Sequence, residues 1–359
     1  MKKSLQGRVM FIYLYVDDIL FTRDNHTMVQ DFKQSMVKEF EKTNLGLIAY
    51  FLGLEVKQCS DEIFISQVKY ATKVLKKFAM EDCCPADNPV EYGTKLTKEG
   101  EGDLVNPIYY KSIVGCLYYL TCTRPDILFG VSLINRYMEK PRSSHLKTTK
   151  RILYFIKGTT SYGSFYSSSH NLEITGYSDS DWAGNLEDRK SPTVFVFFMG
   201  ETTFTWTLKK QSIVALSTCE AEYIVVASCV CHAIWLRKLM EDLQKQSKAT
   251  QIFIDKKSAI VLVKNPVHHE RSKHIDTRFY FIREHIKEGD MELVHVKTHE
   301  QKNLVHHECS KHIDTRFHFI REHIKEGDVE LVNVKIMNKL LTFFKVIKDS
   351  CFLLFAEEA

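Results

Sequence analysis

The sequence predicts a chain of mixed α+β and α/β class divided into several domains, and three observations carry that expectation. Its 359 residues exceed what one hydrophobic core ordinarily organises. The apolar pattern switches repeatedly between the two-residue period of strands and the 3.6-residue period of helices. A stretch rich in Pro, Gly and charged residues at 83–107 separates two such regions and reads as a linker.

Taken in order, residues 9–22 ("VMFIYLYVDDILFT") read as strand, two acids, strand: a β-hairpin with Asp17 and Asp18 at its tip. Residues 26–42 repeat apolar side chains at helical spacing. "AYFLGLEVKQ" and "EIFISQ" form a second hairpin with Gly53 inside its first strand, and "VKYATKVLKKFAM" returns to helical period. Residues 108–157 are helical, interrupted at "TRPD", where Pro125 suits a first turn because its missing N–H is not needed there. The Gly/Ser-rich "GTTSYGSFYSSSHN" then breaks the pattern. Beyond it, "LEITGYSDSDWAG", "TVFVFFMG" and "TFTWTL" read as three strands and "STCEAEYIVVASCVCHAIWLRKLMEDLQK" as a long helix. "QIFIDKKSAIVLVKN" follows as strand, turn and helix, so a β-β-β-α-β-α domain begins near residue 172.

Composition bounds the function. Hydrophobic content of 44% and charged content of 26% exclude a disordered chain. A formal charge of +4 permits a nucleic-acid partner without requiring one. Ten cysteines without a CxxC pair speak against a zinc ribbon or a disulfide framework and point to reduced thiols in an intracellular compartment. The opening "MKKSLQGRVMFIYLYVDD" imitates a signal peptide, but two aspartates break its apolar run and no small-residue cleavage site follows. No stretch is expected to reach membrane-spanning length, and no membrane partner is expected.

Residues 267–297 recur almost unchanged at 305–335, starting 38 residues later. Two near-identical copies indicate recent duplication rather than a solenoid, whose repeats diverge and number at least three. The histidines of these copies (His268, His269 and His274; His306, His307 and His312) lack the HExxH spacing of a zinc helix.

Two constellations carry chemistry. In "YVDD" two adjacent carboxylates sit between apolar, β-prone flanks, where repulsion and desolvation make them costly unless divalent cations are held there. Acids also fall at the strand ends and helix start of the later domain, among them Asp179 and Asp181 in "YSDSDWAG", Glu220 and Glu222 in "CEAEYI" and Asp255 in "IFIDKKSAI", and the residues alone do not choose between them. Each has a bland alternative: Asp181 or Asp188 as an ordinary turn acid, Glu220 as a solvated helical glutamate, and Asp255 as a strand-end turn residue.

"YVDDIL", "DFKQSMVKEFEKTNLGLIAYFLGLEV", "RPDILFGVSLINRYMEKP", "GYSDSDWAGNLEDRKS", "KKQSIVALSTCEAEYI" and "SKHIDTRFYFIRE" resemble, in this order, the pol polyproteins of copia-type LTR retrotransposons. The resemblance covers most of residues 8–300. It implies a truncated reverse transcriptase palm and thumb at 1–92, a linker and helical connection at 93–170, and a ribonuclease H-like mixed-sheet domain at 171–301. Residues 302–359 hold the duplicated segment and an apolar tail. It further implies that Asp17 and Asp18 are metal-binding polymerase acids, and that Leu52 and Gly53 lie near the primer terminus. Asp179, Glu222 and Asp255 become ribonuclease H acids around Mg²⁺ or Mn²⁺ ions. The implied partners are RNA, DNA and RNA–DNA hybrid, with Lys73, Lys76, Lys77, Lys209 and Lys210 contacting phosphates. Other pol or capsid components of the same element are further partners, in a cytoplasmic particle or the nucleus.

Departures from the pattern set further expectations. The polymerase's third acid belongs upstream of the point where this sequence starts, which predicts no polymerase activity. The fourth ribonuclease H acid should follow "THEQ", but Leu304 and its neighbours stand there, which predicts at most weak cleavage. After "DRKS" the family commonly reads Thr-Ser-Gly-Tyr, whereas "PTVF" puts Pro192 in the hairpin and Val194 in place of the glycine, so strain is expected if a positive φ is needed at 194. Lys256 stands where the family usually has asparagine, favouring ionised Asp255 but competing with the metal. Two readings stay open: a weak ribonuclease H, or a non-catalytic RNA- or hybrid-binding remnant.

Overall fold

A computed structural model of the chain describes residues 2–5, 8–15, 18–23, 26–39, 48–51, 53–58, 62–167, 173–182, 187–200, 202–242, 249–264 and 276–296. The first sheet is antiparallel, formed by β1 (Lys2–Leu5), β2 (Arg8–Tyr15) and β3 (Asp18–Arg23) in that order. Tyr15 pairs with Asp18, so Asp18 opens the returning strand of the expected hairpin, while Asp17 lies outside the described residues. Strand β1 was not expected, because "KKSL" is too short to show a period. Helix α1 (His26–Glu39) follows.

The second hairpin differs from expectation at Gly53. Strands β4 (Tyr50–Phe51) and β5 (Leu54–Gln58) pair through Phe51 and Leu54, and Gly53, at φ +81°, makes the turn between them rather than a strand interior. A left-handed backbone is cheap only for glycine. Strand β6 (Glu62–Ser66) pairs with β5, and α2 (Val68–Lys77) buries Ala71, Val74 and Leu75 at helical spacing.

The stretch 83–107 does not run free as a linker. Tyr137 donates its hydroxyl to the Leu96 carbonyl at 2.7 Å, and the backbone N–H groups of Ser143 and Ser144 reach Asp103 and Glu101 at 2.9 and 3.1 Å. His145 accepts the Arg142 N–H at Nδ1 (3.0 Å), leaving Nε2 to donate to the Thr97 carbonyl (2.9 Å), so its ring is neutral. Burial lowers its pKa in the same sense. These ties run mostly through backbone groups, which composition does not reveal.

Helix α3 (Pro107–Leu120) is capped by Asn106, whose side chain accepts from the Ile108 and Tyr109 N–H groups. Pro125 opens a 3-10 turn (Pro125–Ile127) that leads into α4 (Leu128–Ile134), and α5 (Ser143–Gly158) follows. Helices α2 to α5 enclose one core around Tyr110, Leu117, Ile127, Val131 and Ile152. Strand β7 (Gly163–Ser167) arises from the Gly/Ser-rich stretch that sequence pattern treats as a break, and it pairs with β6. A Cβ at Gly163 would stand 2.3 Å from the Ile65 carbonyl oxygen, so the small residue permits the strand's close approach.

The last sheet comprises β8 (Ile174–Asp179), β9 (Pro192–Met199), β10 (Thr202–Lys210), β11 (Thr250–Ile254) and β12 (Met291–His295), in spatial order β10-β9-β8-β11-β12. The first three run antiparallel, and β11 lies parallel to both β8 and β12. Helix α6 (Thr218–Asp242) links β10 to β11, and α7 (Lys257–Lys264) and α8 (Asp276–Lys287) link β11 to β12. This is a ribonuclease H-like mixed sheet. Contrary to the sequence expectation, α6 is long and apolar enough to cross a membrane, with a mean hydropathy of 1.4. Its apolar surface goes instead into the protein: 72% of that window is buried, against this sheet and its helices.

The core of this sheet continues into the buried face of the β4–β7 sheet through Phe51, Ile63, Ile65 and Tyr166. The first repeat copy supplies α8 and β12, whose Ile282, Met291 and Leu293 fill that core; the second copy lies outside the described residues. At the Met291 position the second copy carries Val329. Met291→Val is expected to lower stability by about 1–2 kcal/mol through lost packing, read as a drop in Tm. An unchanged Tm would show that β12 tolerates either copy's residue equally.

Candidate functional site

Register brings two of the sequence-predicted acids together. Ser178 of β8 pairs with Ile254 of β11 in parallel, so Asp179 and Asp255, the next residue of each chain segment, leave adjacent strands at their carboxyl ends. The third acid comes from α6. Its start is set by a Ser217–Glu220 cap: the Glu220 N–H reaches Ser217 Oγ at 3.2 Å, and Glu220 Oε2 accepts the N–H of Leu216, the residue before the N-cap, at 2.7 Å. Glu220 is therefore a buried capping acid and not a solvated one, and the signal S-x-x-E stands in the sequence. Two residues on, Glu222 faces the ends of the strands.

Carboxylate oxygens of Asp179, Glu222 and Asp255 lie within 4.8 Å of one another. Glu222 is 1% exposed. Its Oε1 accepts the Ser180 N–H at 3.1 Å, while Oε2 is buried with no hydrogen-bond partner. Burial first, then the carboxylates of Asp255 and Asp179, push the Glu222 pKa up to about 8, against the pull of the Ser180 N–H and Lys256. The Lys256 ammonium lies 3.7 Å from Asp255 Oδ2. Three converging acids with a bare buried oxygen fit a hard divalent cation, which oxygen donors bind and whose charge relieves their repulsion. Asp179, Glu222 and Asp255 are the residues that would hold it.

The surrounding turns explain the other acids. Asp188 accepts the Lys190 N–H at 3.3 Å and pairs with Lys210 at 2.5 Å, so Lys210 is engaged with a turn acid. Burial opposes ionisation of Asp188, but those two partners outweigh it and hold its pKa low. Asp181 is exposed. The expected strain at Val194 does not arise: Val194 sits in regular β9 opposite Asp179, and the positive φ of this region falls on Arg189 at +56°. Pro192 is the first residue of β9, where a strand tolerates proline. Two contacts without a sequence signal brace the site. Trp182 Nε1 donates to the Ala215 carbonyl at 3.1 Å, and Ser180 Oγ donates to the Pro192 carbonyl at 2.9 Å.

The remaining predicted residues are spread over other elements. Lys73, Lys76 and Lys77 line the exposed face of α2, where Lys77 Nζ reaches Ser112 Oγ at 3.0 Å, and Lys209 is exposed on β10. A Cβ on Gly53 would meet the Tyr119 hydroxyl at 3.1 Å. Leu52, Leu304 and the repeat histidines at 268–274 and 306–312 lie outside the described residues. A second cluster joins His285, Glu288 and Asp290, but His285 Nδ1 and Arg237 already contact Asp290, each at 2.9 Å.

Residues 1–92 match the family described as reverse transcriptase (RNA-dependent DNA polymerase). The chain is 34% identical over 294 residues to the retrovirus-related Pol polyprotein from transposon RE1 of Arabidopsis thaliana, covering 82% of this chain and 20% of that protein. It is 32% identical over 308 residues to the corresponding polyprotein from transposon TNT 1-94 of Nicotiana tabacum, covering 83% and 23% respectively. It thus spans about a fifth of the length of these curated relatives. A foamy viral protease-reverse transcriptase solved with double-stranded DNA aligns at a TM-score of 0.48 and 12% identity, over 80% of this chain and 46% of that one.

Proposed function

Since the chain belongs to the Pol family of copia-type transposons, which joins reverse transcriptase to ribonuclease H, we propose that it cleaves the RNA strand of RNA–DNA hybrids at the β8–α6–β11 carboxylates. Reverse transcriptases and ribonucleases H generally depend on divalent metal ions, and we assign Mg²⁺ or Mn²⁺ to Asp179, Glu222 and Asp255. When bound, such an ion lowers the pKa of water and stabilises charge on a phosphoryl group in displacement. The protein's own part is to hold three acids on rigid elements: two strand ends fixed by register, and a helix fixed by its cap. Asp17 and Asp18, with Leu52 and Gly53, are assigned to the metal and primer sites of the ancestral RNA-directed DNA synthesis, and no polymerase activity is proposed for this chain.

The observation that carries the cleavage reading is the convergence of the three carboxylates around the bare Glu222 Oε2. An end-labelled hybrid incubated with the full chain and Mn²⁺ or Mg²⁺ tests it. Fragments are expected, absent with EDTA, and reduced at least about 100-fold in Asp179→Asn through loss of a ligand. A second reading, a hybrid-binding remnant, is favoured by Leu304 in place of a fourth acid and by the exposed lysines of α2 and β10. Retarded hybrid without fragments under either ion would decide for it.

A further inference from the structure

Resting on the reading of the carboxylate cluster as a metal site, we propose that this cluster holds a single divalent cation, with the Lys256 ammonium in place of a second. Lys256 directly follows Asp255, and its Nζ stands 3.7 Å from Asp255 Oδ2. The carboxyl is 4% exposed and the lysine side chain 41%, so the ammonium meets a buried acid from the solvent side. Its charge also acts on Glu222, so it influences two of the three acids.

Charge balance points the same way. With Glu222 deprotonated on binding a cation, three carboxylates and one ammonium carry a net charge of minus two, which one divalent ion cancels. A second ion would bring two more positive charges within a few ångström of an ammonium tied to the backbone next to Asp255, and like charges at that range repel strongly in a water-poor site. Among the described residues, the cluster holds the three acids Asp179, Glu222 and Asp255 and no fourth that could offset them. The ammonium is a compact point charge with three N–H donors, suited to hold a phosphate oxygen of the substrate's backbone. Lys256 thereby acts as a fixed cation whose position needs no exchange with solvent ions.

Counting Mn²⁺ bound by the full chain tests this, with Glu222→Gln as the reference that removes the site. Calorimetry is expected to show one ion per chain lost in Glu222→Gln. In Lys256→Asn that number is expected to rise to two, or the single ion to bind about tenfold more tightly, because a repelling charge has gone. Lys256→Arg, which keeps the charge, is expected to retain one ion. Two ions lost from the wild type, or Lys256→Asn binding as the wild type does, would overturn the proposal while leaving the metal site standing. Equal binding by wild type and Glu222→Gln would overturn the metal site itself.

Discussion

Arg124→Ala is expected to destabilise the protein by about 3–5 kcal/mol, because it strips the partner from a buried carboxylate. Arg124 and Asp126 pair at 2.7 Å with side-chain exposures of 3% and 7%. The guanidinium also donates from Nη1 to the Thr159 carbonyl at 2.8 Å and from Nη2 to Thr159 Oγ1 at 2.6 Å, closing the C-terminal end of α5. Its flat face lies 5.6 Å from the Phe155 ring and 5.3 Å from that of Tyr162. One side chain thus joins the 3-10 turn before α4 to the end of α5 and the approach to β7. Removing it leaves the buried Asp126 carboxyl without its partner and orphans a carbonyl at the end of α5. Urea denaturation of the full chain checks the figure, and a loss under 1 kcal/mol would refute it. Arg124→Met combined with Asp126→Leu is expected to recover much of the loss, since the penalty belongs to the unpaired charge rather than to the absence of the pair.

Glu222→Gln is expected to stabilise the metal-free protein above neutral pH, by about 4–5 kcal/mol at pH 9. The folded-state pKa of about 8 lies above the ordinary 4.5. Below 4.5 both states hold the proton and the substitution changes little. Between 4.5 and 8 the folded chain keeps a proton that the unfolded chain has released, so wild-type stability falls as pH rises; above 8 the full penalty of a buried, repelled carboxylate is present. Glutamine never carries that charge. Divalent ions reverse the ranking: Mn²⁺ is expected to raise the wild-type Tm increasingly toward high pH and to leave Glu222→Gln unmoved. Melting curves at pH 5, 7 and 9 with EDTA or Mn²⁺ check both halves, and parallel curves for the two proteins at all three pH values would refute the assignment.

Much of the fold was legible because period and capping chemistry are local. The helices at 26–42, 68–80 and 217–245 and the strands carrying Asp179 and Asp255 all follow from side-chain spacing, within a few residues at their ends. Where local signals misled, a long-range contact had the deciding role. Gly53 turns the chain because β4 must pair back on β5, and Gly163 belongs to a strand because β6 is close enough to accept it. The apolar helix α6 satisfies the length and hydropathy of a membrane span, and only the sheet and helices packed on its buried faces show that it is a core helix, with Cys231, Trp235 and Lys238 left exposed.

The sequence by itself determined the family, the mixed-sheet domain and the identity of the three acids, since each rests on residue types in a fixed order. Only the tertiary structure decided what those acids experience. Parallel register set Asp179 beside Asp255, and the Ser217–Glu220 cap fixed the start of the helix that carries Glu222. The burial that raises one carboxyl's pKa depends on atoms from β8, α6 and β11 at once. Desolvation and charge repulsion act through space over a few ångström, and chain order does not record which distant residues come that close.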